Sequence, residues 1–392
     1  FEFHESAKAR AEQYALKRSL YDRILQESGK HFTGIVGPRG SGKTVLLWQY
    51  AASHHDAFYL STDVLSGEDD LLDIVKMLQE HYGFNTLLLD EIHFMPEPAQ
   101  TLKKLYDFRD VKVIFTSSVA LAMRQSAYDL SRRVKLLTLF PFSFREYLRF
   151  KEGVYLDKLS LEQIINRQWD PQHLRTGRHF DKYLKGGILP FSMHEPDPLP
   201  LLRGIIDKVV SRDIPSVEKL MTGELPLIRK LLQFVGTSAV DGINYSSLSR
   251  NLGITKYKAE QYIHCLEKAF VLHRVFPGGT NVLREPKVLM APPCRLLYRD
   301  YKEAVGGLRE DFCVESLKQA EMELRYLKST RGAKTPDFLI VDRDRKLVVE
   351  VGGKGKGREQ FKGIKADRKI VFAHQPVPDE KRLPLFLLGH LA

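Results

Sequence analysis

The chain has 392 residues, 43% of them hydrophobic and 28% charged; this globular composition excludes wholesale disorder and, at roughly 100–200 residues per domain, predicts two to four domains. Lys and Arg number 60 against 49 Asp and Glu, a formal net charge of +11, which suits polyanionic partners. Cys265, Cys294 and Cys313 match no zinc spacing, no apolar run reaches the roughly 18–20 residues of a membrane span, and the charged start lacks a signal-peptide core, so a reduced, cytoplasmic protein without disulfides or membrane contact is expected.

In chain order, residues 5–26 carry apolar positions at helical spacing, and Gly29 follows as a stop. A short apolar strand, residues 32–36, runs into a glycine-rich loop. Further strand-length apolar runs lie at 57–60, 86–89 and 111–115, with helical patterns at 44–53, 68–82 and 99–108 between them. Such alternation predicts an α/β core with a parallel sheet covered on both faces. Residues 144–220 are mostly helical in pattern, broken by Trp169-Asp170-Pro171 and a proline-rich run at 190–200. Three helical stretches and an apolar strand occupy 225–277. Beyond Gly278-Gly279 the pattern turns to shorter strands, with runs at 338–341 and 347–351 spaced as a hairpin. The expected organisation is a helix and P-loop domain at 1–150, a helical lid or linker at 151–224, a winged-helix-like domain at 225–282 and an α+β domain at 283–392.

Gly37-Pro38-Arg39-Gly40-Ser41-Gly42-Lys43-Thr44 fits G-x-x-x-x-G-K-[ST] between a predicted strand and a predicted helix. Glycines let successive backbone N–H groups turn around a phosphate, and the helix N-terminus adds positive potential. Lys43 supplies a point charge to the β- and γ-phosphates, and the Thr44 hydroxyl is placed for Mg²⁺. The expected cofactors are therefore ATP and Mg²⁺. A second strand ends in Leu89-Asp90-Glu91. Next to the P-loop strand, Asp90 would assist the metal and Glu91 would orient or deprotonate the attacking water. The strand at 111–115 ends in Thr116-Ser117-Ser118, which reads either as a γ-phosphate sensor or as a cap on the next helix. Arg132 and Arg133 read either as an arginine finger, in cis or from a neighbouring subunit, or as a salt-bridged surface pair.

These motifs, with Leu102-Lys103-Lys104-Leu105-Tyr106-Asp107, Phe142-Ser143-Phe144-Arg145-Glu146-Tyr147-Leu148, Tyr183-Leu184-Lys185-Gly186-Gly187-Ile188-Leu189-Pro190, Gly307-Leu308-Arg309-Glu310 and Glu350-Val351-Gly352-Gly353-Lys354, span almost the whole chain. Together they resemble the bacterial and archaeal AAA-type ATPases that carry a winged-helix segment and a C-terminal domain related to restriction endonucleases. The resemblance implies Lys43 and Thr44 for nucleotide and Mg²⁺, Asp90 and Glu91 for hydrolysis, and a sensor within Thr116–Ser118. Ser117 stands where the family usually has glycine.

Residues 245–256 read as helix, tight turn and next helix, with Gly253 at the turn and Thr255 as N-cap. Lys256 and Lys258 in the first turn of the second helix would suit a DNA major groove, or the segment serves domain packing alone. Downstream, Asp337 and Glu350, with Glu310 upstream, resemble the acids of a PD-(D/E)xK nuclease. Gly352 occupies the lysine position, so a non-catalytic scaffold is expected, with Lys354 or Lys356 as rescue candidates. Residues 322–371 hold fourteen Lys/Arg against seven Asp/Glu, a surplus that reads as a DNA-backbone contact or as a solvated face. The expectation is an ATPase whose hydrolysis drives a conformational switch, with ATP, DNA and a further copy or protein as partners. The alternatives are an ATP-regulated nuclease and a nucleotide-binding interaction protein with little turnover.

Overall fold

The computed structural model describes residues 1–27, 29–65, 70–118, 130, 132–217, 220–240, 242–278, 285–327, 335–342, 345–353, 355, 357, 359–361, 364 and 366–392. The chain forms two compact units. The first comprises Phe1–Pro141 and Asp207–Leu220, the second Phe142–Ile206 and Met221–Ala392.

In the first unit, strands β1 (Phe32–Val36), β2 (Ala57–Ser61), β3 (Thr86–Asp90), β4 (Lys112–Ser117) and β5 (Val134–Thr138) form one sheet in the order β2-β3-β4-β1-β5. All four pairings are parallel. Side chains alternate across it. Ile35, Leu88, Ile114 and Leu137 pack with helices α1 (Glu2–Ala11), α2 (Ser19–Leu25) and α3 (Lys43–Ser53). Leu87, Leu89, Val113 and Phe115 pack on the other face, against α4 (Leu71–Tyr82) and α5 (Pro98–Phe108). This two-sided burial is why the strands read as continuous apolar runs rather than alternating ones.

The helix expected over 5–26 is broken into α1 and α2. Between them, the Gln49 side-chain amide donates to Tyr14 O at 2.6 Å and Leu16 O at 3.0 Å, which takes those carbonyls out of a helical ladder. Arg18, extended at φ −66° and ψ 152°, starts α2. α4 begins at Leu71, where Asp70 accepts from Leu72 N–H at 2.8 Å as N-cap.

In the second unit, α6 (Phe144–Lys151) opens on a reciprocal cap: Ser143 Oγ accepts from Glu146 N–H and the Glu146 carboxylate from Ser143 N–H. Helices α7 (Leu225–Thr237), α8 (Tyr245–Leu252) and α9 (Lys256–Lys268) precede an antiparallel pair, β6 (Leu272–Val275) with β7 (Lys287–Met290). Gly253 ends α8 at φ +63° and Thr255 caps α9. After α10 (Tyr301–Gln319) comes a mixed sheet of β8 (Glu323–Tyr326), β9 (Phe338–Asp342), β10 (Arg345–Gly352), β11 (Arg368–Ala373) and β12 (Arg382–Pro384), in the order β12-β11-β10-β9-β8. β9 and β10 are antiparallel, Phe338 facing Val349, whereas β10, β11 and β12 run parallel.

Candidate nucleotide site

The glycine-rich loop connects β1 to α3 at one end of the first sheet. Gly42 precedes α3 with φ +94°, a left-handed conformation that costs an L side chain about 1–2 kcal/mol. At Gly37 the constraint is space: a Cβ would lie 2.2 Å from Leu139 O. Lys43, 4% exposed, turns back over the loop and donates to Gly37 O at 3.0 Å and Pro38 O at 3.1 Å. Burial lowers its pKa, and the nearby Glu91 and Asp90 charges oppose that shift.

Asp90 ends β3, buried. Its carboxylate accepts from Thr116 Oγ1 at 2.5 Å and Tyr59 OH at 3.0 Å, and the Thr44 hydroxyl lies near enough to favour its charged form. Burial raises its pKa; the Thr116, Thr44 and Tyr59 hydroxyls counter this while Glu91 adds to it. Glu91 stands in a left-handed conformation at φ +54°. Its N–H donates to Thr116 Oγ1 at 2.9 Å, and the Thr62 hydroxyl spans the carbonyls of Asp90 and Glu91 at 2.9 and 2.8 Å. Thr116 thus ties β4 to the acidic end of β3. Ser117 and Ser118 are buried with it and reach the His93 ring at 3.3 and 3.4 Å.

Two residues that hold the loop, Asp213 and Arg18, carry no local sequence signal. Arg39, inside the loop, is held by Asp213 through Nε–Oδ2 at 2.9 Å and an Nη–Oδ1 bond at 2.8 Å. Asp213 is fully buried and returns to this unit from 174 positions downstream. Arg18 is buried and donates to Ser41 O at 2.8 Å and Phe140 O at 2.9 Å, joining the loop to the exit of β5.

Arg133, named above as a finger candidate, has its guanidinium on Asp107 of α5, at 3.0 and 3.1 Å, with Tyr106 beneath it. Arg132 is exposed.

The residues present fit a Mg²⁺–nucleotide. The donors at Thr44 and Asp90 are hard oxygens, as Mg²⁺ requires. The loop has the glycine at φ +94° that backbone N–H convergence needs. Ser41 Oγ is buried in the loop with no hydrogen-bond partner among the described residues.

In the second unit, Glu310 on α10, Asp337 before β9 and Glu350 on β10 interact electrostatically. Burial, then Glu310, then Glu350 push Asp337 up to about 8. Asp337 accepts from Val351 N–H at 2.7 Å, and Lys287 of β7 reaches Glu310 at 2.8 Å. Among the described residues no group of three His, Cys, Asp or Glu is arranged to hold a metal. Lys354 and Lys356 lie outside the described residues. On α9, Lys256 pairs with Glu285 at 2.6 Å and Lys258 with Glu224 at 2.5 Å. No helix among the described residues is long and apolar enough to cross a membrane.

Residues 29–148 match the model of the AAA domain, and residues 177–292 match that of a domain of unknown function, DUF8612. The first match contains the phosphate loop, Asp90, Glu91 and Thr116–Ser118, and covers less than half of the chain. The chain is 28% identical over 408 residues to the uncharacterized protein MJ1637 of Methanocaldococcus jannaschii, covering 92% of this chain and 85% of that one. Among solved structures it overlaps the Aeropyrum pernix ORC1 protein in complex with DNA, at 13% identity and a TM-score of 0.30, over 79% of this chain and 92% of that one. It also overlaps the S. cerevisiae Hsp104–ADP complex, at 16% identity and a TM-score of 0.33, over 80% of this chain and 46% of that one. Overlaps this low say nothing about activity.

Proposed function

We propose that the first unit binds ATP with Mg²⁺ and hydrolyses it. The observation that carries this reading is the convergence of Thr44, next to the loop lysine, with the Asp90 carboxylate that ends β3. Within an AAA domain match, these are the two protein oxygens a phosphate-bound magnesium needs. Lys43 exchanges its two carbonyl contacts for the β- and γ-phosphate oxygens. Thr44 and Asp90 would hold the Mg²⁺, which would supply charge stabilisation to the phosphate oxygens. Glu91, anchored at its N–H by Thr116, orients the attacking water and takes its proton. Bound Mg-ATP supplies the triphosphate whose β–γ linkage breaks. Ser117 and Ser118, buried beside Thr116, read the γ-phosphate side of the site.

Turnover acts as a switch in this reading. Arg39 of the loop is bonded to Asp213, inside the one segment, Asp207–Leu220, that rejoins this unit from downstream. Loss of the γ-phosphate changes what Arg39 can contact, and the segment responds. DNA contact through α9 is the weaker branch, because Lys256 and Lys258 would have to give up Glu285 and Glu224.

The test is phosphate release by the wild-type chain, Lys43→Ala and Glu91→Gln, with and without Mg²⁺. The expected result is Mg²⁺-dependent turnover, lost on Lys43→Ala together with nucleotide affinity. Glu91→Gln should lose turnover by roughly a hundredfold or more while still binding ATP. Binding without turnover in the wild type would favour a nucleotide-gated interaction protein instead.

A further inference from the structure

His93 stands between the two halves of this site, and none of the roles assigned above requires it. Its side chain is fully buried. Nδ1 hydrogen-bonds Ser117 Oγ at 3.3 Å and Nε2 hydrogen-bonds Ser118 Oγ at 3.4 Å. Glu91 Oε2 lies 3.3 Å from Nδ1 but outside hydrogen-bond alignment, buried with no hydrogen-bond partner among the described residues. Ser118 Oγ in turn is 3.5 Å from Asp213 Oδ2, and Asp213 holds Arg39. A continuous run of polar contacts therefore joins Glu91 to the phosphate loop through His93, Ser118, Asp213 and Arg39.

Hydrogen counting restricts what this run can do. Burial lowers the pKa of His93; Lys43 and Arg39 act the same way, and Glu91 and Asp213 oppose them. A neutral ring has one N–H and one acceptor nitrogen, and a serine has one hydroxyl hydrogen. In one arrangement a small tilt of the ring turns Nδ1–H from Ser117 onto the unpartnered Glu91 oxygen, and Ser118 gives its hydrogen to Nε2. Ser118 then has none for Asp213. In the other, Nε2–H donates to Ser118, which donates to Asp213. Nδ1 then turns a lone pair toward the Glu91 carboxylate. Conversion moves one proton from Nδ1 to Nε2 and rotates one hydroxyl, with no change in charge.

We propose that His93 is a positioning residue for Glu91, and that the single hydrogen on its ring is contested between Glu91 and the Ser118–Asp213–Arg39 side of the site. The proposal rests on the reading that Glu91 handles the attacking water. Donation from Nδ1 fixes one carboxylate oxygen and leaves the other for water, so this arrangement turns over. Arg39 seated on Asp213 satisfies that buried carboxylate and favours the same arrangement. Drawing Arg39 away leaves Asp213 short of donors and pulls the ring toward the other one.

The test separates the two ring nitrogens. An asparagine amide reaches about as far as Nδ1, and a glutamine amide about as far as Nε2. In the full chain, His93→Asn should keep turnover within about threefold of wild type, whereas His93→Gln and His93→Ala should lose roughly tenfold or more in kcat. ATP affinity by calorimetry should stay within about twofold in all three. Unchanged turnover in all three variants, equal losses in the Asn and Gln variants, or a Gln variant more active than the Asn variant would each overturn the proposal. If the variants unfold, the ¹⁵N resonances of the His93 ring in the wild type decide. A protonated Nδ1 without nucleotide is expected, and a protonated Nε2 overturns it. Wild type and Glu91→Gln turning over alike would defeat the Glu91 reading itself. An active wild type with inactive Glu91→Gln, and Asn and Gln variants that match, defeats only the role of His93.

Discussion

Gly37 and Gly42 are both glycines of the motif, yet they resist substitution for different reasons. Gly42 has open space around its missing Cβ and a left-handed backbone. Gly42→Ala should cost about 1–2 kcal/mol of stability, the strain of that conformation. A Cβ at Gly37 would collide with the backbone of Leu139, which is itself bonded to Val36 by Leu139 N–H to O at 2.8 Å. Gly37→Ala must move a strand exit as well as the loop. Thermal unfolding should show the larger loss for Gly37→Ala, and calorimetry with ATP should show weaker binding for it than for Gly42→Ala. Both glycines are visible in the sequence as part of one pattern. Which of them is held by torsion and which by space is not, because Leu139 is distant in the chain and adjacent only in the sheet.

Among the elements, the segment Asp207–Leu220 joins the phosphate loop through the Arg39–Asp213 ion pair and also buries Val209, Val210 and Ile214. Asp213 is fully buried, whereas the Arg39 side chain is 19% exposed. The two truncations are therefore unequal. Asp213→Ala frees an arginine that can turn to solvent. Arg39→Ala strands a carboxylate in the interior, with only the long Ser118 contact to its oxygens left among the described residues, and should cost more, on the order of 3 kcal/mol. Hydrogen exchange of the amides in 207–220 should speed up in both variants, and more in Arg39→Ala. Equal protection in the two would show that apolar packing, not the pair, seats this segment. The sequence carries no trace of this contact, since an Asp after a helical stretch has no periodicity or motif to mark it. His93 is a different case. It sits two residues after Glu91, but its role depends on Ser117 and Ser118, which the sheet order alone brings near.

For the molecule as a whole, pH offers a handle on the second unit. His390 is fully buried, with its ring against Phe144 and His173 and Nε2 3.3 Å from the Thr176 hydroxyl. Burial first, then His173 and Arg145, push its pKa down to about 3. The folded chain keeps this ring neutral while an unfolded chain protonates it below about pH 6.5, so stability rises with pH across that window and falls as pH drops from about 6.5 toward 3, by up to about 1.4 kcal/mol per unit. Calorimetric unfolding should lose midpoint temperature on acidification, and His390→Gln should flatten that slope. A wild-type slope unchanged by the substitution would assign the acid sensitivity to other groups. The basic surplus gives a second handle. If α9 contacts DNA, affinity should fall steeply with salt; a flat dependence would rule out a multi-phosphate contact.

The sequence by itself determined the local chemistry. Phosphate loop, acidic strand end and alternating strands and helices are short-range patterns, and backbone torsion and side-chain periodicity act over the same few residues. The strand order β2-β3-β4-β1-β5, which sets Thr116 against Asp90, was decided only in three dimensions. So were the break between α1 and α2, the clamp of Arg18 on Ser41 and the return of Asp213 to Arg39. Each of these depends on burying a polar group beside a partner far away in the chain. Burial is a property of the packed whole, and no local window of residues encodes it.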